Sequence, residues 1–344
     1  MFSVILLSIV LGVLLLGWGY RLARQWKDAQ ALRIDTPNGL DEGFFAEIDG
    51  LAQWVRIRGE DKGAPVLFFV NGGPGVSYLP FASILREWER EFTVVYWDQP
   101  GSGKTLAKSG KQRNRGLSID RLASDGIAVA ELVANRLGRE KVILLCHSWG
   151  TVLGVGMAHR RPDLFSAYVG TGQVVDMAQN EAESYRLLLE RLNSTGKSPG
   201  RLTPPPYEDM KTWMVKQRML IMNTPPPSGG REMPDIMTAP LFAAGYSLRD
   251  ACFWFSGMGF SAKELFAEMM AYDARRVTTR LDVPVLMIQG EIDMQSPTSV
   301  ARAYFDEIEA PSKEFIVIPG EGHSAIMTMP DIFLSKFREC RPSS

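Results

Sequence analysis

Cysteine and histidine are both scarce in this chain. Its 344 residues hold three cysteines, Cys146, Cys252 and Cys340, widely spaced and odd in number, which make neither a disulfide framework nor a zinc site. Histidine occurs at 147, 159 and 323 only, so any histidine-dependent chemistry has few candidates. No charge of one sign prevails: 38 Lys and Arg stand against 39 Asp and Glu. Without a long basic run, an electrostatic nucleic-acid binder is excluded. There is no internal repeat and no low-complexity tail. A composition of 45% apolar and 22% charged residues excludes disordered and collagen-like chains.

One long hydrophobic run is present. Phe2 to Tyr20 is nineteen residues without a charge, and at ~1.5 Å per residue such a helix nearly spans a ~30 Å hydrocarbon core. It reads as a single-pass membrane anchor. A cleaved signal peptide fits less well, because no Lys or Arg precedes the run and the small-residue site Ala29-Gln30-Ala31 lies far beyond it. Trp18 and Tyr20 suit an interfacial aromatic belt, and Arg21, Arg24 and Lys27 follow. Positive charge on this side alone places the remainder of the chain on the cytoplasmic side.

After a polar connector over 21–40, strand and helix signals alternate. Gly43–Ile48 and Leu51–Arg58 flank Asp49-Gly50, a hairpin signal. Val66–Val70, Thr93–Trp97 and Val142–Cys146 read as strands, the first and last of them as buried on both faces. Phe81, Ile84, Leu85 and Trp88 recur at helical spacing, as do Ile119, Leu122, Gly126, Ala130, Val133 and Leu137. Ala167–Gly170, Val283–Gln289 and Glu314–Pro319 complete the strand set. Such alternation predicts an α/β fold with a mostly parallel sheet covered by helices. Residues 173–280 lack the rhythm; they hold ten of the sixteen methionines and two triple-proline runs, Pro204–Pro206 and Pro225–Pro227. We read them as an inserted helical lid, in which the methionines fill loose packing or line an adaptable pocket. The expected organisation is an anchor at 1–20, the connector at 21–40, a core at 41–172 and 281–344, and the lid between its two parts.

The chemistry-bearing residues sit just beyond strand ends. Cys146-His147-Ser148-Trp149-Gly150 follows a buried strand and opens an apolar helix. A sharp turn there exposes a serine hydroxyl, and the helix amino terminus favours developing negative charge, so Ser148 is the candidate nucleophile. Cys146 stands where the G-x-S-x-G pattern has glycine. Asp293 follows the strand Val285–Ile288 and His323 follows Phe315–Ile318, giving the chain order Ser, Asp, His of α/β-hydrolase triads. His147 is covalently next to Ser148 and His159 lies about three turns along the helix, so elimination leaves His323 as the base. Asn71-Gly72-Gly73-Pro74-Gly75 follows another buried strand, and its glycine N–H groups are suited to an oxyanion; the donors assigned are the Gly73 and Trp149 N–H groups. Gly101-Ser102-Gly103-Lys104-Thr105 imitates a phosphate-binding loop, but Asp98 occupies the place of the required first glycine, which leaves an ordinary loop.

Together, Asn71-Gly-Gly-Pro-Gly75, Trp97-Asp-Gln-Pro-Gly-Ser-Gly103, the Ser148-Trp-Gly elbow, Gly290-x-x-Asp293-x-x-x-Pro297 and Gly322-His-Ser324 resemble the α/β-hydrolase superfamily, and within it proline iminopeptidase-like serine peptidases. The resemblance covers roughly 43–172 and 281–340. It implies an acyl-enzyme mechanism with no metal or organic cofactor, acting on a small molecule or short peptide. The Trp-Glu pair with which such iminopeptidases grip a free amine does not occur between Gln173 and Arg280; acidic residues such as Glu181, Glu183 and Glu232 could stand in, but they read as solvated helix surface and are not assigned that role. Three activities remain open: an aminopeptidase, a carboxylic-ester or lactone hydrolase, and a non-catalytic binding protein of the same fold.

Overall fold

A computed structural model describes residues 2–226 and 233–339. Pro227, Glu232 and Cys340 lie outside the described residues. Eight strands form one sheet: β1 (Leu40–Ile48), β2 (Leu51–Gly59), β3 (Val66–Val70), β4 (Thr93–Asp98), β5 (Val142–His147), β6 (Phe165–Thr171), β7 (Val285–Gly290) and β8 (Lys313–Ile318). Their order is β1-β2-β4-β3-β5-β6-β7-β8. β2 runs antiparallel to β1 and β4, and the other neighbours are parallel. The β1–β2 hairpin turns at Asp49 and Gly50, whose φ values of 49° and 69° match the twist of the paired strands.

The central strands are apolar because both faces are covered. Phe68 and Val70 join one core with Leu144 and Cys146, while Leu67 and Phe69 face another with Ile143 and Leu145. Twelve helices are described: α1 (Phe2–Ala31), α2 (Gly103–Arg113), α3 (Ile119–Arg136), α4 (Trp149–Arg160), α5 (Met177–Ser194), α6 (Met210–Asn223), α7 (Met233–Phe242), α8 (Leu248–Met270), α9 (Ala274–Val277), α10 (Thr298–Glu307), α11 (Ala325–Thr328) and α12 (Pro330–Glu339). The stripes of α3, α4 and α10 cover the first core, and Phe333, Leu334 and Phe337 of α12 cover the second.

Three local readings are corrected. The helical spacing from Phe81 to Trp88 produces only two short 3₁₀ turns, Leu79–Phe81 and Trp88–Arg90, because those side chains pack into the second core without needing a continuous helix. The segment after Gly101 is α2, not a loop; Leu106 and Ala107 are buried, and packing overrides its glycines, one of which, Gly110, interrupts the helix. The stretch read as a connector stays helical to Ala31. Leu16 is 76% exposed, whereas Arg21 is buried against the segment joining α7 to α8.

Between β6 and β7 the chain forms five helices, α5–α9. Side-chain caps start four of them: Asp176, Asp209 and Asp273 accept backbone N–H bonds, and Ser247 with Asp250 forms a reciprocal capping box. Leu188, Leu192 and Leu220 from α5 and α6 make a separate small core with Met294, next to Asp293.

Candidate active site

Ser148 sits between β5 and α4 with φ 53° and ψ −123°, a conformation that costs a non-glycine residue of order 1–3 kcal/mol. Surrounding contacts hold it there. Its N–H donates to Thr171 C=O at 2.9 Å, and its C=O accepts the Thr151 N–H at 2.8 Å and hydroxyl at 2.6 Å. Gly150 lets α4 start against the end of β3: a β-carbon there would lie 2.1 Å from Val70 O and 2.9 Å from Asn71 O. That approach brings the Trp149 backbone beside the Asn71–Gly75 loop.

The strand ends of β7 and β8 bring Asp293 and His323 to the same place. His323 Nε2 is 2.8 Å from Ser148 Oγ, and His323 Nδ1 is 2.9 Å from Asp293 Oδ2. A carboxylate only accepts, so Nδ1 carries the proton and Nε2 is left to accept from the serine hydroxyl. Asp293, 2% exposed, is oriented through its other oxygen by the N–H groups of Gln295 and Ser296 at 2.8 and 2.9 Å. The three residues singled out in the sequence are thus brought together, and the arrangement can activate an oxygen nucleophile.

His147 has a different place. Its ring is buried and turned away from the serine. Nε2 lies 2.9 Å from His323 O, and Nδ1 meets the Tyr78 hydroxyl. Burial, with the nearby His323, pushes the His147 pKa down to about 3, so the ring is neutral. Nε2–H then donates to the His323 carbonyl and Nδ1 accepts from Tyr78. Tyr78 also bonds to the Gly72 backbone, and burial raises its pKa. A buried chain therefore runs from the glycine loop to the backbone of His323.

Gln99 ties the same loops from the other side. Its Nε2 donates to Asn71 C=O at 3.1 Å and its Oε1 accepts from the Trp149 indole at 3.3 Å, while Asn71 Nδ2 donates to Trp97 C=O at 2.7 Å. Sequence reading gave roles to neither Gln99, Tyr78 nor His147; a buried amide at a strand's carboxyl end was the available signal for Gln99. Beside His323 opens a small cleft, lined by Ile221, Thr224 and Pro225 from the helical insertion and by Gln295, Gly322 and Ser324. Among the described residues no group of three His, Cys, Asp or Glu is placed to hold a metal ion.

Residues 67–335 match the model of the alpha/beta hydrolase family. The chain belongs to that family. It is a hydrolase whose relatives include proteins named as aminopeptidases. It is 28% identical over 293 residues to "Probable aminopeptidase YbaC" of Bacillus subtilis, covering 83% of this chain and 92% of that protein. It is 24% identical over 193 residues to a proline iminopeptidase of Thermoplasma volcanium, covering 54% of this chain and 63% of the relative. Among solved structures, a proline iminopeptidase-related protein from Thermus thermophilus superposes with a TM-score of 0.62 at 20% identity, over 87% of this chain and 96% of the other. That likeness is one of fold.

Proposed function

We propose that the chain is a membrane-anchored serine hydrolase that forms an acyl-enzyme and acts as a proline iminopeptidase-like aminopeptidase on small peptides. The observation that carries this reading is the hydrogen-bonded line Ser148–His323–Asp293. His323, oriented by Asp293, takes the Ser148 proton as the oxygen attacks a carbonyl carbon; the same proton then passes to the leaving group, and water releases the acyl group by the reverse sequence. The N–H groups of Gly73 and Trp149 receive the tetrahedral oxyanion, each donor being worth ~10²–10³ in rate. Helices α5–α9 act as the lid over this centre. The names of the two sequence relatives support the amide substrate.

α1 crosses a membrane in this reading, with the catalytic part on the cytoplasmic side of Arg21, Arg24 and Lys27. Its support is one helix long and apolar enough to span.

A second reading, a carboxylic-ester or lactone hydrolase, is favoured by the state of two lid carboxylates. Glu181 is paired with buried Lys216 at 2.6 Å and Glu183 with Arg186 at 2.7 Å, so neither stands ready for a substrate amine. The test is turnover of proline and alanine anilides against short-chain p-nitrophenyl esters by the full-length protein in detergent, with a fluorophosphonate probe for Ser148. Anilide turnover lost in Ser148→Ala supports the aminopeptidase, and ester turnover alone the second reading. Failure of the probe to label Ser148 overturns both in favour of a binding protein. Asp293→Asn is expected to lower turnover by about 10⁴ while leaving the fold intact.

A further inference from the structure

α1 is fastened to the lid by polar contacts. The Arg21 guanidinium donates to Tyr246 C=O at 2.7 Å; Gln25 Nε2 donates to Ala243 C=O at 3.0 Å and to Tyr246 C=O at 2.8 Å. Asp28 accepts the Ala244 N–H at 2.7 Å. The Tyr20 ring meets Phe242 edge-on, with centroids 5.6 Å apart. Tyr20 ends the uncharged run, which is ~30 Å long as a helix. Residues 242–246 therefore stand where that run ends, at headgroup depth when α1 crosses a bilayer.

Next to this segment lies a second, open cleft, walled by Phe45, Trp54, Lys104, Lys108, Arg249 and Asp250. Lys104 Nζ donates to Gly245 C=O at 2.8 Å and stands 4.9 Å from the Trp54 ring and 5.4 Å from the Tyr246 ring. Lys108 Nζ is 5.4 Å from the Phe45 ring, and Arg249 donates to Ala107 C=O at 2.9 Å. Elsewhere arginines such as Arg136, Arg161 and Arg275 are paired with carboxylates. In this cleft none of the three cations has a carboxylate partner within 4.0 Å among the described residues. Asp250 is already held, accepting from the Ser247 N–H and hydroxyl at 2.9 and 2.8 Å.

We propose that this cleft binds the headgroup of an anionic phospholipid, with its phosphate among Lys104, Lys108 and Arg249 and its glycerol region against Trp54 and Phe45. The assignment rests on α1 crossing a membrane. Basic side chains at headgroup depth without carboxylate partners attract anionic lipid, and the aromatic walls suit the interface between polar and apolar layers. Because the Tyr246 carbonyl holds Arg21 and Gln25 of α1 while the Tyr246 ring stands 5.4 Å from Lys104 of the cleft wall, a bound lipid would brace the lid against the anchor.

Full-length protein in zwitterionic detergent, mixed with equal phosphatidylglycerol and phosphatidylcholine, provides the test by native mass spectrometry. Wild type is expected to retain phosphatidylglycerol over phosphatidylcholine by about fivefold or more, and a Lys104→Gln/Lys108→Gln/Arg249→Gln variant to retain both alike. An Arg24→Gln/Lys27→Gln variant, altered on α1 alone, is expected to keep the preference. No preference in wild type, a preference surviving the triple variant, or one lost only in the α1 variant overturns the proposal. Glycerol phosphate is expected to compete poorly; equal competition makes this a soluble phosphate site and overturns the lipid assignment. Unchanged circular dichroism melting guards against misfolding. Carbonate extraction separates the two layers of argument. Wild type released from membranes refutes the anchor and the headgroup site together, whereas wild type retained in membranes but without lipid preference refutes the headgroup site alone.

Discussion

Gly154 faces Cys146 across the first turns of α4: a β-carbon at 154 would lie 2.2 Å from Cys146 Sγ. The thiol occupies the elbow position where the common pattern has glycine, and the space it needs is provided one helical turn further on. Its environment is apolar, and burial pushes the thiol pKa well up, so Cys146 packs rather than reacts. Gly154→Ala is expected to destabilise the protein by about 1–3 kcal/mol through overpacking, despite alanine's better helix propensity. Cys146→Gly combined with Gly154→Ala is expected to recover much of that loss in urea unfolding. A double variant no more stable than Gly154→Ala would show that the two positions do not compensate.

Tyr78→Phe removes the hydroxyl that bonds to His147 Nδ1 while keeping the ring packed against Phe69. The buried acceptor left behind costs about 1–3 kcal/mol, and His147 is freed to shift the backbone of His323. The expected result is about a tenfold fall in kcat on p-nitrophenyl acetate with little change in KM, the pattern of a positioning residue. Equal changes in both constants would count against this role.

Lys216 and Glu181 form a buried pair between α5 and α6, with the Trp213 indole donating to Glu181 Oε1 at 3.1 Å. Lys216→Met strands a carboxylate in that interior and is expected to cost about 3–5 kcal/mol. Replacing both partners by methionine should restore most of it. Chemical unfolding of the single and double variants decides, and additive losses would show that the pair is not coupled.

Asp125 is buried beneath β2, where its Oδ2 accepts from Gln53 Nε2 at 2.8 Å, and burial raises its pKa to about 6. A folded-state pKa above the unfolded carboxylate value means that the folded protein holds the extra proton between about pH 4 and 6. This contribution is present in acid and is lost as pH rises through 6. Wild type should therefore lose about 2 kcal/mol relative to Asp125→Asn between about pH 4 and 8. A pH-independent difference would refute the assignment.

Much of the fold was legible because strands buried on both faces leave unbroken apolar runs, as in Val66–Val70 and Val142–Cys146. The 81–88 stretch misled because apolar spacing reports which side chains are buried, not whether the backbone between them completes a helix. α2 was missed for the converse reason: its glycines and lysines argue against a helix, and burial of Leu106 and Ala107 decides otherwise. At the site, Ser148, Asp293 and His323 could be singled out because each follows a strand's carboxyl end, a place that strand order makes common to all three.

The sequence by itself determined the alternation of elements, the apolar amino-terminal run and the places of Ser148, Asp293 and His323 just beyond strand ends, since each is written in local periodicity or in a turn's residue types. Tertiary structure alone decided that His147 turns from the serine to Tyr78, that Lys216 occupies Glu181, that Gly154 makes room for Cys146, and that α1 stays helical to Ala31 and clasps the segment joining α7 to α8. These relationships join residues from eight to over two hundred positions apart. Local propensity carries no record of them; they exist only once burial and hydrogen bonding have selected which distant surfaces meet.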